Sequence, residues 1–189
     1  MTGDSPEPDP APVPAEKPSV HPDDWPFVSV RGTFYRAVDP AYEQAALNGS
    51  RSAGRYSPPD VPTLYLSSSR EGVAAAMQKH SDSRTPALRV LAFEVHADRI
   101  ADLRDSSAMA ELGVVPDDAF GDWLLALANG ATPPSWRVRE RLESMGASGL
   151  IDPSRKSPAL WHLTLFAWNT AAAPSVHSTV THVIPDRDR

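Results

Sequence analysis

The 189-residue chain contains no cysteine, which excludes a disulfide framework, a zinc-thiolate site and a cysteine nucleophile. It also lacks any run of about twenty apolar residues and any signal-peptide pattern, so a soluble, cytoplasmic protein without membrane partners is the expectation. Basic residues are in deficit: 18 Lys and Arg stand against 24 Asp and Glu, a formal net charge of -6. A protein that grips nucleic acid through its phosphates needs the opposite balance, so nucleic acid is not an expected partner. Any attraction for phosphate must be local. No internal repeat and no Gly-rich phosphate loop is present, and Gly146-Ala147-Ser148-Gly149 lacks the spacing of a nucleophile elbow.

Proline, by contrast, is abundant, and it is concentrated at the start. Residues 1–26 are dense in Pro, Asp and Glu and poor in large apolar side chains, so they bury too little surface to offset ordering entropy. The reading is a disordered arm. Its prolines alternate from Pro6 to Pro14 and recur at Pro18, Pro22 and Pro26 without the Pro-x-x-Pro spacing that fits an aromatic groove.

Residues 27–185 read as one folded domain, and residues 186–189 as a tail. Val28, Val30 and Phe34 alternate with small or polar residues as in a half-buried strand, and Pro40 and the Gly49–Pro62 stretch mark loops. Thr63–Ser67 reads as a short strand. Ser68-Ser69-Arg70-Glu71 has capping-box spacing for a helix to about His80, with Val73, Ala76, Met77 and His80 on one face and Gln78 pointing away. Leu88–Val95 is the clearest strand. Asp117–Ala128 and Trp136–Met145 read as helices, the second ending at Gly146, and Trp161–Trp168 and Val176–Ile184 as strands. Without a regular β-α-β alternation the fold class is α+β.

The residues that carry chemistry are arginines beside aromatic rings, in Phe34-Tyr35-Arg36 and in Gly54-Arg55-Tyr56. A guanidinium offers a rigid fork of donors to phosphate oxygens, and tyrosine offers a stacking face with a polar tip. Together they suit an anionic dinucleotide. Each residue also has a plainer reading: a surface salt bridge for Arg36 and Arg55, and a core tyrosine with a satisfied hydroxyl for Tyr65. Ser154 reads equally as a turn or cap serine. His162 fits either a packed core position or a ligand contact. His177 and His182 lie an odd number of residues apart on one predicted strand, hence on opposite faces, which argues against a shared metal. Asp98, Asp102 and Asp105 have helical spacing and read as a solvated face.

Tyr35-Arg36-Ala37, Gly54-Arg55-Tyr56, Thr63-Leu64-Tyr65-Leu66-Ser67-Ser68 and Gly149-Leu150-Ile151-Asp152-Pro153-Ser154-Arg155, followed by the Leu163–Phe166 strand, resemble in order and spacing the RES-domain family. The resemblance spans about Val28 to Ile184. It implies a single domain with an ADP-ribosyltransferase-like fold and a bacterial toxin that consumes NAD⁺ and is neutralised by a partner antitoxin. It also implies NAD⁺ as substrate with no metal, Arg36 and Ser154 as catalytic residues, and Tyr35, Arg36, Arg55 and Tyr65 as contacts to the dinucleotide. The expected chemistry is hydrolysis of NAD⁺. The alternatives are transfer of ADP-ribose to a protein target, or an inactive module that keeps the NAD⁺-binding or antitoxin-binding surface.

One position departs from the family pattern. The family glutamate aligns with Ala76, and alanine cannot supply the carboxylate that steadies positive charge on the ribose as nicotinamide leaves. Losing one such group costs roughly 100- to 1000-fold in rate, so weak turnover survives the loss. Among other acids, Glu71 is accounted for by the capping box, and Glu94, on the strand face opposite Leu91 and Phe93, is the best remaining substitute.

Overall fold

The structure is a computed structural model and describes residues 13–77, 87–154, 157 and 159–179. Six strands form one sheet: β1 (Phe27–Val38), β2 (Leu64–Ser67), β3 (Arg89–Asp102), β4 (Gly149–Pro153), β5 (Trp161–Leu165) and β6 (Ser175–Ser178). Their order is β1-β2-β5-β4-β3-β6, and β1 also pairs with β3, so the first five strands close on themselves like a barrel. β3 pairs along one side with β1, and along the other first with β6 and then, in parallel, with β4. The helices are α1 (Arg70–Met77), α2 (Ser106–Glu111), α3 (Pro116–Phe120), α4 (Trp123–Ala128) and α5 (Pro134–Ser144), with 3-10 turns at Pro22–Asp24 and Pro40–Asn48. The α+β reading holds.

Alternation along the strands divides the apolar residues into two clusters. Val30, Phe34, Leu64, Leu66, Phe93 and Leu163 fill one, inside the strand ring. On the other face Phe27, Leu150 and Phe166 pack against Leu112 after α2, Ala119 of α3, and Val138 and Leu142 of α5.

Several local expectations shift. Residues 13–19, read as part of a solvated arm, lie along β1: Thr33 N–H donates to Val13 O, Glu16 N–H to Arg31 O, and Ser19 and Ser29 exchange two main-chain bonds. Backbone pairing needs no large apolar side chains, so composition did not reveal it. Residues 1–12 lie outside the described residues. The single helix expected over Asp117–Ala128 is two. Gly121 breaks it, and the Asp122 carboxylate caps a fresh start by accepting from Leu124 and Leu125 N–H. The α1 cap is Ser69, whose Oγ accepts from Gly72 N–H, while the Ser68 hydroxyl donates to Trp161 O. The strand expected over Leu88–Val95 is longer, Arg89–Asp102, and takes in Asp98 and Asp102, and Asp105 caps α2. β5 stops at Leu165 and β6 runs over Ser175–Ser178, while His80, His182 and Ile184 lie outside the described residues. Gly146 does follow α5 in a left-handed conformation, φ +80°, with the 6→1 bond from Ala147 N–H to Leu142 O. No helix among the described residues is long and apolar enough to cross a membrane.

Candidate functional site

A cleft of about 360 Å³ opens on the outer face of the β1-β2-β5-β4 sector, walled by α1, the Arg55–Tyr56 turn and Trp123 of α4. Its volume falls in the range of small-molecule sites. Strand pleating supplies its floor. Tyr35 pairs with Ser67, Ser67 with His162, and His162 with Asp152, so four side chains from four neighbouring strands form one row. Tyr65 and Thr164 form the next row, and all six residues line the cleft.

Arg36 is placed by β1. It lines the cleft, and its Nη1 donates to Ala46 O at 2.8 Å. Burial lowers its pKa from the ordinary arginine value, yet a guanidinium starts so high that the group stays cationic. The neighbouring Tyr35 ring carries the Arg70 guanidinium 5.1 Å from its centroid, a cation-π contact that ties β1 to the first turn of α1.

Arg55 is placed by α5. Three successive carbonyls of its turn accept hydrogen bonds from α5 side chains: Gly54 O from Trp136 Nε1 (2.9 Å), Arg55 O from Ser135 Oγ, and Tyr56 O from Arg139 Nη1 (3.2 Å). Arg139, only 3% exposed, also donates to Thr63 Oγ1 (2.6 Å), pairs with Glu143 (3.0 Å) and lies 4.8 Å over the Phe166 ring. Arg55 itself donates through Nη1 to Ala119 O (3.2 Å) and Gly121 O (2.8 Å), so part of its fork fastens the end of α3 while the side chain lines the cleft.

The Tyr65 hydroxyl is held against the same turn, 2.9 Å from Ser57 Oγ and accepting from Tyr56 N–H at 3.3 Å. Gly54 is required here: a Cβ at that position would stand 2.6 Å from Tyr65 Oη and 2.8 Å from Ser57 Oγ. Burial raises the phenol's pKa, so Tyr65 is a neutral donor in the neutral range. On the floor, Ser67 Oγ and His162 Nδ1 are hydrogen-bonded at 2.8 Å, and burial lowers the His162 pKa, which leaves a neutral imidazole near pH 7.

Of the residues singled out from sequence, Tyr35, Arg36, Arg55 and Tyr65 come together in this cleft, and Val73, Ala76 and Met77 present one face of α1 to it. Ser154 does not line it. The serine is buried one residue past β4, its N–H donating to Leu160 O at 2.8 Å. Glu94 is also away from the cleft: it accepts from Thr33 Oγ1 across the β1-β3 pair, a position fixed by strand register. Among the described residues no group of three His, Cys, Asp or Glu side chains could hold a metal ion.

Cleft residues that carried no assignment from sequence include Ser67, Asp152, Thr164 and Trp123. Asp152 and Ser67 sit inside motifs already quoted, but only the β4-β5-β2 register reveals that they share a face.

No match is found among curated proteins. Among solved structures, the chain is similar to one from the crystal structure of the M. tuberculosis MbcT-MbcA toxin-antitoxin complex, at TM-score 0.53 and 18% identity, covering 74% of this chain and 75% of that one. That likeness concerns the fold. The model of the RES domain matches residues 33–187, which takes in every cleft residue, and the chain therefore belongs to the RES-domain family.

Proposed function

We propose that this protein binds NAD⁺ in the cleft, breaks the nicotinamide-ribose bond, and acts as a toxin whose activity a cognate antitoxin restrains. The observation that carries this reading is the convergence of Arg36, Arg55, Tyr35 and Tyr65, from separate parts of the chain, on one cavity. Two permanent cations at one cleft suit a pyrophosphate, in a chain whose overall charge would otherwise repel it. Tyr65, with its hydroxyl fixed and its ring at the wall, suits the nicotinamide. The strand ring with outer helices is consistent with an ADP-ribosyltransferase-like architecture. The similarity to a chain of a toxin-antitoxin complex supports the toxin role and the expectation of a partner.

The mechanism asks three things of the chain. The arginines hold the phosphates, and the tyrosines fix the ring and exclude water from it. A polar group must then steady the oxocarbenium-like ribose as the C1′–N bond lengthens.

A second reading has one observation in its favour. Ala76 lies on the cleft wall, at the position the resemblance assigns to the family glutamate, with no carboxylate to offer. A binding module without turnover follows from that. Incubating the purified protein with NAD⁺ and measuring free nicotinamide separates the two. The toxin reading expects slow release that Arg36→Ala abolishes, and release indifferent to Arg36 would overturn it.

A further inference from the structure

We infer that Asp152 contacts the ribose of NAD⁺ and supplies the carboxylate that Ala76 lacks, which makes it a catalytic residue of this chain. The inference rests on the NAD⁺-cleaving reading above and names where its missing group resides.

Among the described residues that line the cleft, Asp152 is the only carboxylate. Its position is set by pairing: it lies opposite His162, which lies opposite Ser67, so the acid stands in the same cross-strand row as the cleft floor. Successive strands are about 4.8 Å apart, so Asp152 is one strand from the imidazole. The cleft therefore has its acid on the β4 side of the floor and its bare alanine on the α1 wall. Asp152 is also close enough to Tyr65 for its charge to oppose ionisation of the phenol. A ring held by Tyr65 and a ribose held by Asp152 are thus neighbours.

The imidazole between the acid and Ser67 is fixed. The Ser67 contact at Nδ1 orients the imidazole. Its burial favours the neutral form of the imidazole.

In the step itself the C1′–N bond breaks and its electron pair passes to the ring nitrogen, releasing neutral nicotinamide. The Asp152 carboxylate accepts a hydrogen bond from a ribose hydroxyl and stabilises the positive charge left on C1′. Water adds to C1′, its proton passing to solvent, and the products are ADP-ribose, nicotinamide and one proton.

The test is Asp152→Asn, which keeps the shape and removes the charge, with nicotinamide release, NAD⁺ affinity by calorimetry and thermal melting read on the same preparation. Expected is a fall in kcat of roughly 100- to 1000-fold. NAD⁺ affinity stays within about threefold of wild type, because the contact strengthens in the transition state, and melting is unchanged. Adding Ala76→Glu to the Asp152→Asn protein restores part of the rate. If Asp152→Asn does not fold, Asp152→Ser carries the same comparison. A neutral variant that folds and keeps wild-type kcat overturns the inference and leaves the NAD⁺-cleaving reading standing. A wild-type protein that binds NAD⁺ without releasing nicotinamide overturns the catalytic role of Asp152 and leaves the binding cleft. One that neither binds nor cleaves overturns both.

Discussion

Replacing Arg139 by methionine should unfasten the Arg55 turn from α5, and the cost follows from what the guanidinium holds. Arg139 is 3% exposed and donates to Tyr56 O and Thr63 Oγ1, on residues that are 1% and 0% exposed. Methionine keeps most of the volume over Phe166 but has no donor, so both acceptors lose a charged donor where water cannot replace it. Hydrogen bonds from a charged donor contribute about 1.5 to 3 kcal/mol each. The Glu143 partner is 41% exposed and regains solvent, so it adds little. The expected loss is about 3 to 5 kcal/mol, or roughly 6 to 20 °C in Tm for a chain of this length. Urea unfolding at pH 7 measures it, as a lower midpoint at unchanged slope. Trp136→Phe, which removes only the bond to Gly54 O, should cost about 1 kcal/mol. A loss below about 1 kcal/mol for Arg139→Met would refute the view that this side chain carries the turn.

Three further predictions follow from the cleft. Gly54→Ala forces a methyl against Tyr65 Oη and Ser57 Oγ, which should cost about 1 to 3 kcal/mol by chemical unfolding and weaken NAD⁺ binding at least in proportion to the displaced tyrosine. His162 has a folded pKa below its unfolded value near 6.5, so its contribution to stability is full above that pH and is lost as pH falls through the folded pKa. His162→Gln should therefore flatten the fall in Tm between neutral and mildly acidic pH, and an identical profile in the variant would contradict the assignment. Ala76→Glu places a second carboxylate on the cleft wall and should raise nicotinamide release, and unchanged turnover in a folded variant would count against the importance of that wall.

Much of the cleft was legible because its residues sit on elements with clear periodicity. Alternation around Phe34 and Leu64 set β1 and β2, and the helical spacing of Val73, Ala76 and Met77 set the wall that α1 presents. What stayed hidden depends on register and long-range packing. Nothing local in Trp161-His162-Leu163 says that His162 will lie beside Ser67 and Asp152, because a one-residue slip of β5 would turn it to the opposite face. Arg139 lies within a stretch read only as a helix, and its burial comes from the turn it clamps, which no local pattern announces. Ser154 lies two residues beyond the cleft-lining Asp152 but is itself buried, its N–H donating to Leu160 O. The main-chain pairing of Val13, Glu16 and Ser19 with β1 leaves no signature in side-chain composition.

The central claim is that two guanidinium groups remote in sequence hold one bound dinucleotide, and NAD⁺ titration calorimetry on wild type, Arg36→Ala and Arg55→Ala tests it most directly. The account predicts saturable one-site binding that each substitution weakens by roughly tenfold or more, with ADP-ribose competing for the same site. Undiminished NAD⁺ affinity in a folded Arg36→Ala protein would contradict it.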